Sequence, residues 1–214
     1  MKTGILFDLD GTLLDTLDDL WAATNYALGQ YGCPPRTREE VRKFVGNGAR
    51  ELIRLALPGK ESDPTVDEVL ETYHVHYRKV CDQGAARPYD GILQALEQVK
   101  KEYPVAVVSN KPDAAVKKLC RGFFGEIYAL GEAEDNPRKP APDMVFKAMQ
   151  ALGVDTCIYV GDSEVDVVTA KNAGMPCLSV LWGFRDREDL EKAGGMHFCS
   201  DPRELRETLH TMTK

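Results

Sequence analysis

No segment of the 214-residue chain approaches the roughly 20 consecutive apolar residues that a membrane-spanning helix requires. A membrane partner is therefore not expected. The opening MKTGILFDLDG has one lysine and a brief apolar stretch, but Asp8 and Asp10 interrupt it where a secretory signal would continue. It reads instead as a buried strand. An excess of basic charge is also missing, because 27 Lys and Arg face 34 Asp and Glu, a net charge of −7. Nucleic-acid backbones reward clustered cations, so no nucleic-acid partner is expected. Whole-chain acidity does not bar a small phosphorylated substrate, since one lysine and a metal can hold that anion locally. The sequence lacks a CxxC and any paired Cys/His cluster; Cys33, Cys81, Cys120, Cys157, Cys177 and Cys199 are widely spaced. That spacing argues against a zinc site and a dense disulfide framework, and six thiols suit a reducing cytoplasm. Internal repeats and low-complexity tracts are absent as well.

What is present is an alternation. Short apolar runs at residues 4–9, 104–108, 157–160 and 177–180 are closed by polar or glycine-rich residues. Their length and β-branched content predict strands of a parallel sheet buried on both faces. Helical spacing occupies 92–101, 113–120, 143–152 and 165–173, so the fold class is α/β with a doubly wound, mainly parallel sheet. One stretch breaks the alternation. From Asp15 to about Ala86 the patterning is helical throughout: 16–31, with Leu17, Leu20, Trp21, Thr24, Ala27 and Leu28 in register, then 39–45, 49–57 and 66–81. A helical subdomain at 15–86 is therefore expected as an insert into an α/β core made of 1–14 and 87–214, with 84–88 as the return linker.

Four polar clusters close predicted strands or stand just before predicted helices. In Phe7-Asp8-Leu9-Asp10-Gly11-Thr12, two aspartates two apart end the first strand, where open α/β sheets place ligands. Two close carboxylates repel, and a divalent metal or unequal protonation must compensate; an ordinary DxDG turn is the plain alternative. Gly161-Asp162-Ser163-Glu164-Val165-Asp166 places two more aspartates four apart, on one side of a starting helix. Magnesium favours such oxygen donors, while a helix N-cap at Asp162 or Ser163 explains the segment equally well. Glu164 is expected to face solvent. Ser109-Asn110 closes a third strand and offers a hydroxyl and a backbone N–H to phosphate oxygens. Lys139, between Arg138 and two prolines, is either a solvated lysine or a fixed positive charge. Converging on one crevice, the four clusters supply what phosphoryl transfer requires: a nucleophile, a proton-transfer group, metal ligands, a hydroxyl and a cation.

With these motifs in this order, the chain resembles the haloacid dehalogenase-like hydrolase superfamily over nearly its whole length. The resemblance implies a Rossmann-like core with the helical insert as a cap. It implies Asp8 as nucleophile, forming an aspartyl phosphate, and Asp10 as general acid and then base. It further implies Ser109, Asn110 and Lys139 as phosphate-binding residues. Mg2+ would be held by the Asp8 carboxylate, the Asp10 backbone carbonyl and Asp162, with Asp166 in support. Within the superfamily, DLDGTLLDTLDDLWAATNYAL, the VGNGA element, RPYDGI and VVSNKP resemble bacterial phosphoglycolate phosphatases. This implies a small phosphomonoester substrate, 2-phosphoglycolate above others, and draws Arg50 or the backbone of 46–48 toward its distal carboxylate. The expected protein is a monomer or homodimer. Two other readings share parts of the pattern: a phosphomutase of the same superfamily acting on a sugar phosphate, and a receiver-type signalling module phosphorylated on aspartate. A receiver has its acidic pair before a phosphorylated aspartate on a middle strand, whereas here the pair lies on the first strand and a helical insert follows.

Overall fold

The computed structural model describes residues 1–59 and 63–214. The chain divides into two compact units, Met1–Leu14 with Pro88–Lys214, and Asp15–Arg87. After strand β1 (Thr3–Phe7) the chain leaves the first unit through the two-residue strand β2 (Leu14–Asp15) and returns through β3 (Arg87–Pro88). The second unit consists of α1 (Leu17–Gln30), α2 (Arg38–Phe44), α3 (Gly48–Ala56) and α4 (Asp63–Gln83). The spacing of Leu17, Leu20, Ala23, Thr24, Ala27 and Leu28 buries one stripe of α1, and α1 packs along α4, where Val66, Val69, Tyr73 and Tyr77 are buried. Trp21, expected on that stripe, is instead 38% exposed, because its indole N–H donates to the Arg36 carbonyl (2.8 Å) and keeps the ring at the rim. Thr37 and Glu40 form a reciprocal capping box that starts α2. The Arg36 guanidinium donates to the Ala56 and Leu57 carbonyls, closing α3. Buried Asp19 accepts from the backbone N–H groups of Ala85 and Ala86 (3.0 and 3.1 Å), which ties the end of this unit to its first helix.

The first unit is built on a six-stranded sheet. Its other strands are β4 (Val105–Pro112), β5 (Tyr128–Glu132), β6 (Thr156–Gly161), β7 (Cys177–Val180) and β8 (His197–Cys199), in the order β5-β4-β1-β6-β7-β8 with every pairing parallel. Ile5, Leu6 and Phe7 of β1 expose nothing, as expected of a central strand covered on both sides. Each such side chain contributes about 1.5–3 kcal/mol by leaving water. The helices are α5 (Ile92–Glu102), α6 (Asp113–Phe124), α7 (Asp143–Leu152), α8 (Glu164–Ala173), α9 (Arg187–Lys192) and α10 (Leu205–Met212). Met144 and Ala148 of α7 and Ala170 of α8 pack with Leu6, Val108 and Tyr159 in one core cluster.

The strand order decides where a ligand can bind. From β1 the chain steps outward to β4 and β5, then crosses to β6 and steps outward the other way to β7 and β8. Right-handed crossovers send the connecting helices of the two halves to opposite faces. The switch therefore falls between β1 and β6, whose registered pair Phe7 and Val160 stands just before Asp8 and Gly161. Both sheet edges lie outside the runs legible in the sequence. Strand β5, Tyr-Ala-Leu-Gly-Glu, has too short an apolar run to stand out, and β8 has three residues. At Gly131 of β5 a Cβ would lie 2.5 Å from the Lys111 carbonyl oxygen, so the edge closes only with glycine there.

Candidate active site

Strand β1 ends with the Asp8 N–H donating to the Val160 carbonyl (2.8 Å), which fixes the first aspartate beside β6. The chain then turns sharply, Leu13 and Leu14 N–H groups returning to the Leu9 carbonyl at 3.0 and 2.9 Å. Gly11 makes that turn with φ +84°, and any side chain there would collide with the Asp162 carboxylate. Thr12 donates its hydroxyl to Asp162 Oδ1 (3.0 Å). One carboxylate oxygen from each of Asp8, Asp162 and Asp166 lies within 4.8 Å of the others, and all three residues are buried.

The two interpretations of the Asp162–Asp166 segment turn out to belong to different residues. Ser163 is the N-cap of α8, and Asp166 at N3 accepts from both its backbone N–H (3.0 Å) and its hydroxyl (2.7 Å). Asp162 takes no part in the cap and points at Asp8; its Oδ2 accepts from the Phe184 N–H (2.7 Å). Glu164, expected to face solvent, keeps a partly exposed side chain that accepts from the Arg185 guanidinium at 2.7 and 3.2 Å.

Two lysines complete the site, and neither is solvated. Lys139 is 2% exposed, with Nζ 2.9 Å from Asp8 Oδ1 and 2.7 Å from Asp166 Oδ1, above the Tyr159 ring. Asn110 fixes the Lys139 backbone at both ends: its Oδ1 accepts from the Lys139 N–H (2.6 Å) and its Nδ2 donates to the Lys139 carbonyl (2.9 Å). The Asn110 amide, a side chain expected to bind phosphate, is thus engaged in positioning the lysine. Ser109 is buried, and its hydroxyl oxygen accepts from the Lys111 N–H (3.3 Å). Lys111 is the second buried lysine, its Nζ 2.9 Å from Asp10 Oδ1. Arg50 belongs to the helical unit, where it pairs with Asp67 at 3.1 Å.

Electrostatics follow from this crowding. Burial, opposed by Lys139 and reinforced by Asp166 and Asp10, pushes the Asp8 carboxyl up to about 7 from its ordinary 3.8. Burial with the Asp166 and Asp8 charges pushes Asp162 well above its usual range. Burial works against the Lys139 ammonium, but Asp166 and Asp8 outweigh it and hold that charge firmly in place. The protein alone therefore carries more buried carboxylate than lysine can neutralise here. A hard divalent cation fits that deficit, because the donor set is oxygen, anionic and convergent. Asp8 and Asp162 are the residues that would hold it, with Asp166 engaged by Ser163 and Lys139 behind them.

Sequence reasoning missed Lys111 and the loop after β7. Trp182 donates its indole N–H to the Thr12 carbonyl (3.0 Å), and a side chain at Gly183 would collide with Asp162 and the Gly11 carbonyl. A usable signal existed, since β7 is parallel to β6 and must deliver residues 181–185 to the same sheet edge.

The profile of the family described as haloacid dehalogenase-like hydrolase matches residues 5–180. The chain belongs to that family. Among relatives of this hydrolase, phosphoglycolate phosphatase 1 of Pseudomonas aeruginosa is 34% identical over 84% of this chain and 70% of its own length. N-acetylmuramic acid 6-phosphate phosphatase of the same organism is 32% identical over 96% of this chain and 93% of its own. A crystal structure from Lactobacillus delbrueckii subsp. bulgaricus, provisionally assigned as a phosphoglycolate phosphatase, is 35% identical and superposes with a TM-score of 0.90, covering 98% of this chain and 99% of that one. The hydrolase described here is a phosphoric monoester hydrolase similar to phosphoglycolate phosphatases. Among the described residues no helix is long and apolar enough to cross a membrane.

Proposed function

We propose that this protein is a magnesium-dependent phosphatase that hydrolyses 2-phosphoglycolate through a phosphoenzyme on Asp8. The observation that carries the reading is the Lys139 ammonium bridging Asp8 and Asp166 while Asp162 faces the same point. In this mechanism an Asp8 carboxylate oxygen attacks phosphorus, the bond to the leaving oxygen breaks, and Asp10 gives that oxygen a proton. A water then loses a proton to Asp10 and attacks phosphorus, breaking the bond to Asp8 and releasing inorganic phosphate. Ser109 and Lys139 bind the transferring phosphate. The Asp8 carboxylate, the Asp10 carbonyl and the Asp162 carboxylate would hold Mg2+, which when bound would supply positive charge against the repulsion between phosphate and carboxylate. The helical unit serves as the cap that excludes bulk water, with Arg50 reading the distal carboxylate. Burial of Cys120, Cys157 and Cys177, which pushes each thiol up to about 12, suits inert thiols of a reducing cytoplasm.

Substrate choice is tested by incubation with 2-phosphoglycolate, N-acetylmuramic acid 6-phosphate, glucose 1- and 6-phosphates and pyrophosphate while free phosphate is followed. We expect the highest kcat/KM for 2-phosphoglycolate. A higher value for the muramic acid ester would move this protein to its other named relative, and sugar isomerisation outrunning phosphate release would make it a mutase.

Magnesium binding carries a pH signature. A carboxyl whose folded pKa is raised from 3.8 to about 7 stabilises the fold fully below the lower value. That stabilisation is lost as pH rises through about 7. Metal-free protein should therefore melt lower at pH 8 than at pH 6. Mg2+ at 100 times its Kd should return about 2.7 kcal/mol, roughly 5–10 °C, at pH 8, and less at pH 6 where protons compete. Equal Mg2+ shifts at the two pH values would remove the carboxylates from the metal site.

A further inference from the structure

Of the two lysines buried in the site, Lys139 has a role in the reading above and Lys111 has none. Lys111 is the penultimate residue of β4, two after Ser109, is 6% exposed, and places its ammonium 2.9 Å from Asp10 Oδ1. A buried ammonium is costly without a counter-charge, and Asp10 supplies one here. The partition of the two cations is informative. Lys139 contacts Asp8 and Asp166, on the nucleophile side of the phosphate, whereas Lys111 contacts Asp10, the group that protonates the leaving oxygen. Lys111 therefore stands one carboxyl group away from the first atoms of the leaving alcohol.

Resting on the proposed roles of Asp8 and Asp10, we propose that Lys111 is a specificity-determining residue that selects leaving groups with a carboxylate next to the ester carbon, the phosphate esters of α-hydroxy acids. An ammonium has three donors, so it can span Asp10 and a second carboxylate, just as Lys139 spans Asp8 and Asp166. In such an ester the carboxylate is attached to the carbon that bears the leaving oxygen, which brings it to the Asp10 side of the site. An ester with a methyl group in that place adds no anionic oxygen to the surroundings of Lys111. The surrounding fold keeps the charge in place. The Lys111 N–H is bonded to Ser109, and its carbonyl lies against Gly131, where no side chain fits. The residue is fixed to the same strand end that presents the phosphate-binding hydroxyl.

The test compares 2-phosphoglycolate with ethyl phosphate, which differ only by carboxylate against methyl, in the full-length protein with Mg2+. The measured quantity is the ratio of the two kcat/KM values. Wild type should favour the carboxylate ester. In Lys111→Met the ratio should fall about 10- to 100-fold, the worth of a charge-assisted contact. Lys111→Arg should keep most of it. A purely structural lysine would lower both rates together and leave the ratio alone, and that result overturns the proposal. A wild-type ratio near one overturns it too, while leaving the phosphatase reading intact. Should Lys111→Met not fold, Lys111→Gln, which can still hydrogen-bond Asp10, carries the same comparison with the same expected fall. Failure of wild type to hydrolyse either ester would sink the 2-phosphoglycolate reading itself, and this proposal with it.

Discussion

Replacing Asp8 with asparagine should lower kcat by roughly 10⁴-fold or more while the protein still folds. Asparagine has nearly the shape of aspartate and accepts hydrogen bonds through its carbonyl, so the Leu9 N–H at 2.7 Å and the Lys139 ammonium at 2.9 Å both keep an acceptor. What disappears is the anionic oxygen proposed to attack phosphorus, and the two carboxylates grouped with Asp8 are committed elsewhere. Asp162 is engaged by Thr12 and the Phe184 N–H, and Asp166 by Ser163 and Lys139. Stability should change in a way that separates this substitution from simple damage. Metal-free Asp8→Asn protein has one buried carboxylate fewer to desolvate, so above pH 7 it should melt no lower than wild type. Its Mg2+-induced shift in melting temperature should shrink, because one of the proposed ligands of the cation is neutral. Turnover within tenfold of wild type, measured by phosphate release, would remove Asp8 as the nucleophile.

The second large effect is expected at Lys139, where stability and chemistry rest on the same ammonium. In Lys139→Met the side chain keeps most of its length, but Asp8 and Asp166 lose the cation between them, next to Asp162. Breaking a buried ion pair by removing one partner costs about 3–5 kcal/mol, so the melting temperature should drop by roughly 10 °C. The drop should be greater at pH 8 than at pH 6, since protons relieve the carboxylates at the lower pH. Catalysis should fall about 10²- to 10³-fold, the usual effect of removing one preorganised donor from a transferring group. Lys139→Arg is not expected to restore it. The ammonium is a compact charge between Asp8 and Asp166 above Tyr159, with its backbone held by Asn110, and a larger planar fork does not reproduce that geometry. A Lys139→Met protein that melts like wild type at pH 8 would show that the charge balance of the site lies elsewhere.

Residues that must be apolar, or must end a strand, were legible without coordinates. The runs through Ile5–Phe7, Val105–Val108 and Cys157–Val160 are buried on both faces, so every position is apolar and the pattern needs no knowledge of neighbours. Asp8, Ser109 and Asp162 each follow such a run, and parallel strands deliver their carboxyl ends to one edge. That much of the site was fixed by local sequence. The partners of the polar side chains were not, because a hydrogen bond joins groups brought together by strand order. The spacing of Asn110 does not reveal that its amide would fix the backbone of a residue 29 positions away. Nor could Lys111 be told from a solvated lysine until the sheet placed it against Asp10. The edge strands β5 and β8, and the loop from Trp182 to Arg185 that seats Asp162, belong to the same class. Sequence alone decided which apolar runs leave water and which residues stand at their ends, since those depend on composition and period. Tertiary structure decided which charges meet, since desolvation makes each buried ion depend on a counter-ion that only chain topology can supply.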